Sequence, residues 1–382
     1  MRSPLLIAPL LLLAAAEASP LLAQAAPPGP AQVADTVVTA IQPPTSPLPG
    51  EAESADVTRF SFLVYGDTRG RYDGLRIQHE HSLVVESMLA RIGQMAAGPD
   101  PVRFVLQSGD AVVNGRYAQQ WNVSFVPLID RLTTEGGVPY FLAPGNHDLP
   151  AMARDEGLRN YLSAVAHLIP PDGSPRRLTG YPTYAFGYGN TFVLALDSNV
   201  PDDSVQIAWA EAQLAGLDRA RYTHVVAFFH HPAFSSGPHG GARVEPQTAV
   251  IRARWMPLFR RYHVAMLFAG HDHLFDHWVE RYQDADGTSH RIDQVVTGGG
   301  GAPLYPYWGE PDLSAYESAG AAEGVQVSHL ARPGMEPGEN PFHYVVVHVD
   351  GADVWMEVVG VDWGRGFQPY RSARTTLGDT GR

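Results

Sequence analysis

Residues 138–148 read VPYFLAPGNHD, an apolar and aromatic run that stops on Gly145, Asn146, His147 and Asp148. A short run of this kind, closed by proline and glycine, reads as a buried strand whose C-terminal end releases polar side chains. The same phrase recurs along the chain. Residues 60–65 lead to Gly66-Asp67, 102–106 to Gly109-Asp110, 224–229 to His230-His231-Pro232, and 264–268 to Gly270-His271-Asp272-His273. Further strands are expected at 191–196 and 292–296, and 344–349 and 354–361 flank Asp350-Gly351, a hairpin turn signal. Helix-compatible stretches at 81–95, 117–132, 205–220 and 250–262 lie between several of these strands, so the chain is expected to be a layered α/β protein.

All five polar clusters sit where strands end, the edge at which α/β sheets gather ligand-binding loops. Asp67, Asp110, Asn146, His230, His271 and His273 supply two carboxylates, one amide oxygen and three imidazoles. That set suits Zn, Fe or Mn, whereas calcium prefers more oxygen. A carboxylate can bridge two cations, and a water shared by the two is acidified enough to give hydroxide near neutral pH, the candidate nucleophile.

Composition narrows the chemistry. The 382 residues are 45% hydrophobic and 18% charged, enough to bury a full core. A net charge of −13 with no dense basic stretch argues against nucleic acid or an anionic membrane surface as partner, and an anionic substrate then needs a local positive centre such as bound metal. Without cysteine there are no disulfides, thiolate zinc sites or cysteine nucleophiles; without lysine there is no Schiff base or lysine phosphate loop. Residues 1–25, with Arg2, an apolar run over 5–16 and Ala23-Gln24-Ala25, read as a cleaved export signal rather than a membrane span, and the mature protein is expected in the periplasm or medium. Residues 26–56 hold seven prolines and are expected to be a linker. The domain is expected over 57–362, with a long loop at 302–342 overhanging the site and a flexible tail at 363–382.

The ordered set GDTRG (66–70), GDAVVNG (109–115), GNHD (145–148), HHP (230–232) and GHDH (270–273) resembles the calcineurin-like metallophosphoesterase superfamily, in wording its purple-acid-phosphatase-like bacterial branch. The resemblance implies a four-layer α/β/β/α sandwich of two mixed β-sheets and hydrolysis of phosphate mono- or diesters by a metal-bridging hydroxide. It implies two metal ions, the first on Asp67, Asp110 and His273, the second on Asp110, Asn146, His230 and His271. It also implies that His147 assists the leaving group and that Asp148 orients its ring.

The chain departs from the family where most relatives carry a histidine two residues after the first aspartate. Arg69 stands there, and Val113 stands where purple phosphatases have a tyrosine. An arginine stays protonated and cannot ligate metal, but it can clamp a substrate phosphate. His231, beside a ligand, is a second candidate substrate contact. The missing fourth ligand also motivates a rival function, a non-catalytic exported binding module that keeps the scaffold.

Overall fold

Ser61, Leu63 and Tyr65 alternate with Phe60, Phe62 and Val64 along strand β1 (Arg59–Tyr65), and both sets are buried. Such a strand belongs in the middle of a sheet covered on both faces. The computed structural model describes residues 36–70, 74–362, 366–371 and 374–379, and places β1 at the centre of the first of two mixed sheets. Parallel to β1 run β2 (Val102–Gln107) and, beyond it, β3 (Tyr140–Leu142). On its other side β11 (Phe342–Asp350) pairs antiparallel, followed by β12 (Asp353–Asp362) and β13 (Gly366–Pro369), with β14 (Thr375–Thr376) also on β12. The expected hairpin at Asp350-Gly351 joins β11 to β12, with Gly351 at φ 64°.

The second sheet runs β10-β8-β9-β7-β6-β5-β4. Here β5 (Thr191–Ala195), β6 (His224–Phe228), β7 (Met266–Ala269) and β9 (Ser289–Thr297) are parallel, while β4 (Tyr184–Tyr188), β8 (Phe275–Gln283) and β10 (Gln326–Ala331) are antiparallel to their neighbours. The sheets pack face to face through aromatic rings, Phe62 against Phe268 and Phe104 and Phe141 against Phe186. The helix His79–Met95 packs on the first sheet, where Ser87 meets Tyr344, and the helices Ser204–Ala215 and 246–261 share an apolar cluster with the second. This is the expected four-layer sandwich. The helices 118–134 and 246–261 each contain a π turn just before a proline, Pro127 and Pro257, where the missing N–H breaks the regular ladder.

Several expectations are corrected. The expected leader over 1–25 and residues 26–35 lie outside the described residues. Residues 36–56 are not a linker: Val38 and Ile41 are buried in the main core, and the backbone N–H groups of Thr39 and Gln42 donate to Asn122 and Asp130. Two apolar anchors and side-chain acceptors on the body outweigh a proline-rich composition. Residues 302–342 are not all loop, since the helix Ser314–Ala319 and β10 lie within them. The described part of 363–382 contributes β13 and β14 and buries Leu377 rather than hanging free. Strand β8 went unread because three of its buried positions are polar and paired: Asp276 with His329, His277 with Asp293 and Glu280 with Arg260.

Candidate metal centre

The parallel strands carry their C-terminal ends to one edge, and the chain turns sharply there. Asp67, Asp110 and His271 adopt positive φ of 58°, 57° and 71°, a backbone state costing a non-glycine residue about 1–3 kcal/mol. Each follows a glycine, and the turn aims its side chain into the space between the sheets. Gly145 and Gly270 leave room for the carboxylates, because a Cβ on either would collide with Asp110 and Asp67 respectively.

All six expected ligands meet there. His230 Nε2 lies 2.9 Å from Asn146 Oδ1, 3.3 Å from Asp110 Oδ1 and 3.1 Å from His271 Nδ1. His273 Nε2 is 3.5 Å from Asp67 Oδ1, and Asp67, Asp110 and His273 place donor atoms within 4.8 Å of one another. The far nitrogen of each ring is fixed by an oxygen. His230 Nδ1–H donates to the Ser108 carbonyl at 2.9 Å, His273 Nδ1–H to the Pro303 carbonyl at 2.7 Å, and His271 Nε2–H to Glu245 at 2.9 Å. The inward nitrogens therefore carry lone pairs. They face oxygen lone pairs with no proton between them, an arrangement that suits a cation.

The electrostatics agree. Burial pushes the His230 and His273 imidazoles down to about 3, so both are neutral donors. Burial and the neighbouring Asp110 carboxylate hold the Asp67 carboxyl well above its usual range, a repulsion that bound cations relieve. The residues present thus fit two transition-metal ions.

Other expected site residues divide. Arg69 Nε lies 3.5 Å from Asp110 Oδ2 and has no hydrogen-bond partner among the described residues, so the guanidinium borders the centre. His147 Nδ1–H donates to the Val113 carbonyl at 2.6 Å and its Nε2 faces Asp110 Oδ2 at 3.9 Å. Asp148 does not orient that ring. Its carboxylate accepts from the N–H groups of Ala111, Val112 and Gly145, tying the β2 and β3 loops together. His231 is 2% exposed, bonded to Ser198 and packed on His271, so it braces a ligand from behind.

Sequence reasoning missed Glu245, and reached Tyr305 only as part of the segment expected to overhang the site. Glu245 accepts from both His271 and His239, and the Tyr305 ring stacks on His273 with centroids 4.3 Å apart. Neither sits in a motif. Glu245 precedes an ordinary helix start and Tyr305 lies in an aperiodic stretch, so only the fold brings them in. Residues 303–305 thus reach the centre, as expected of the 302–342 segment, through the Pro303 carbonyl and Tyr305.

Residues 60–275 match the family model described as calcineurin-like phosphoesterase. The chain belongs to the calcineurin-like phosphoesterase family. Family members use two transition-metal ions, which the donor set above fits. Among curated proteins, this chain is 26% identical to purple acid phosphatase 23 of Arabidopsis thaliana over 169 residues, 44% of this chain and 34% of that protein. It is 25% identical to probable purple acid phosphatase 20 of the same plant over 181 residues, 46% of this chain and 40% of that protein. It therefore spans less than half the length of these relatives. Purple acid phosphatase PPD1 from yellow lupin seeds shares the fold, with TM-score 0.56 and 18% identity over 84% of this chain and 54% of that one.

Proposed function

We propose that this protein is an exported phosphoesterase that hydrolyses small phosphate mono- or diesters. Asp67, Asp110 and His273 would hold one transition-metal ion, and Asp110, Asn146, His230 and His271 the other, with Mn, Zn or Fe as candidates. The observation that carries this reading is the convergence of unprotonated imidazole nitrogens on carboxylate and amide oxygens, each ring fixed from behind. When bound, such ions supply an activated water and withdraw charge from phosphoryl oxygens.

The chain's own groups do the rest. Arg69, permanently charged and with its Nε lacking a hydrogen-bond partner among the described residues, binds a phosphoryl oxygen and orients the ester. His147, fixed by the Val113 carbonyl, presents Nε2 at the edge of the centre with a third of its side chain exposed. There it delivers a proton to the departing alcohol oxygen. The rival reading as a binding module rested on arginine in place of a ligand, and the place of Arg69 beside Asp110 fits substrate binding instead. Export rests on the leader-like residues 1–25, and among the described residues no helix is long and apolar enough to cross a membrane. The N-terminal residue of protein recovered outside the cytoplasm tests it; an intact Met1 refutes cleavage.

The decisive experiment strips the protein with a chelator, reloads it with Mn, Zn or Fe, and measures turnover of an aryl phosphate and an aryl diester. Activity lost on stripping, restored by metal and abolished in Asp110→Ala supports the proposal. Full turnover in stripped protein, or none with two ions bound, overturns it.

A further inference from the structure

We infer that His263, Asp284 and His290 form a second, separate metal site that takes a divalent cation of the zinc class. His263 lies between the helix ending at Arg261 and β7, Asp284 just beyond the end of β8, and His290 is the second residue of β9. The Nε2 atoms of the two histidines approach the same oxygen, Asp284 Oδ2, at 2.9 Å and 3.1 Å, and the three donor atoms lie within 4.8 Å of one another. The rings are stacked, with centroids 4.3 Å apart and planes 16° from parallel.

The contacts of the two rings point to a cation. A carboxylate only accepts, and His290 faces one at each nitrogen: Asp284 at Nε2, and Asp379 Oδ2 at 3.1 Å from Nδ1. Without a cation, Asp284 Oδ2 has to accept from both Nε2 atoms at once, and His290 has to serve a carboxylate at each of its nitrogens. A cation between the two Nε2 atoms and Asp284 removes that requirement. Both rings are then neutral, and the Nδ1–H of His290 donates to Asp379, the carboxylate–histidine–metal relay that orients ligands in metal sites.

Two imidazoles and a carboxylate, with room for water, are a zinc-like set. The site is open enough for an ion to enter, since the His263 and Asp284 side chains are 41% and 35% exposed. His263 also holds a positive φ of 50°, an unfavourable state that turns its ring toward the cluster. The site lies far from the phosphoesterase centre. His290 stands at the start of β9 and Gly298, beneath that centre, follows its end, a span of roughly 25 Å at about 3.3 Å per residue. An ion here would cross-link a helix end, the β8–β9 hairpin and, through Asp379, the C-terminal segment, in a chain that has no cysteine for a disulfide.

The test compares the full chain with the double variant H263A/H290A, each loaded with zinc and freed of excess. The expected result is about one zinc ion fewer per chain in the variant, a smaller rise in Tm on adding zinc, and unchanged ester hydrolysis. Equal zinc content and an equal Tm response overturn the proposal and leave a hydrogen-bonded histidine pair on Asp284 in its place. If the double variant does not fold, anomalous scattering at the zinc edge from wild-type crystals decides. A peak among His263, Asp284 and His290 supports the site; peaks at the phosphoesterase centre alone refute it.

Discussion

His147 and Glu245 meet the centre through different residues, His147 beside Asp110 and Glu245 behind His271. His147 keeps one nitrogen on the Val113 carbonyl and leaves the other for a proton. His147→Ala is expected to lower kcat by roughly 10²–10⁴-fold. The loss should be larger for an alkyl ester, whose alkoxide needs the proton, than for a p-nitrophenyl ester, whose leaving group does not. An equal loss on both substrates would exclude proton donation. Glu245 touches no reacting atom; it fixes His271 from behind. Glu245→Ala is expected to weaken metal binding by roughly 10–100-fold, read by titration calorimetry on stripped protein. Unchanged affinity would reduce Glu245 to packing. At this scale the motif residues were legible, because a ligand's element type and its place after a strand are sequence properties. Glu245, the stacking of Tyr305 on His273 and the true partners of Asp148 were not, because they depend on which loops touch.

Among the elements, the segment 36–56 departs furthest from its composition. Ile41 is fully buried, and its backbone N–H donates to the Ala164 carbonyl. Ile41→Ala should cost about 2–5 kcal/mol in chemical denaturation, the range for emptying a packed aliphatic site. A loss within about 0.5 kcal/mol would mean the segment is not part of the folding unit. Glu51, farther along, accepts two hydrogen bonds from Arg176 and one from Tyr222, each 2.8 Å long. Burial raises its carboxyl, but these partners outweigh burial and leave it below the usual 4.5 of a glutamate. Its contribution is therefore complete above pH 4.5 and is lost as pH falls through the lower folded value. With about a third of each side chain exposed, the contribution should be only about 0.5–1 kcal/mol. Glu51→Gln should flatten the pH dependence of stability below 4.5, and an unchanged slope would show that the pair adds nothing.

For the whole molecule, buried neutral histidines set the acid limit of the fold. Burial lowers His81 to about 3 and His343 to about 4, against 6.5 for a free ring. Unfolding lets both take up protons below pH 6.5, so stability is greatest above that value and declines as pH falls toward the folded values. Each contributes at most about 1.4 kcal/mol per pH unit. Denaturation midpoints of metal-free protein should fall between pH 6.5 and about 4, with a shallower fall in His81→Gln. A flat profile there would mean the rings are protonated in the folded state. The sequence alone determined the α/β class, the central strands and the six centre residues, because continuous apolar runs and the polar groups that close them are local patterns. Only the tertiary structure decided that residues 36–56 belong to the core, that β8 is a strand with polar buried positions, that Glu245 and the Val113 carbonyl orient the working imidazoles, and that His263, Asp284 and His290 meet. Each of these depends on a partner far along the chain, and pairing at that distance leaves no period in the sequence to read.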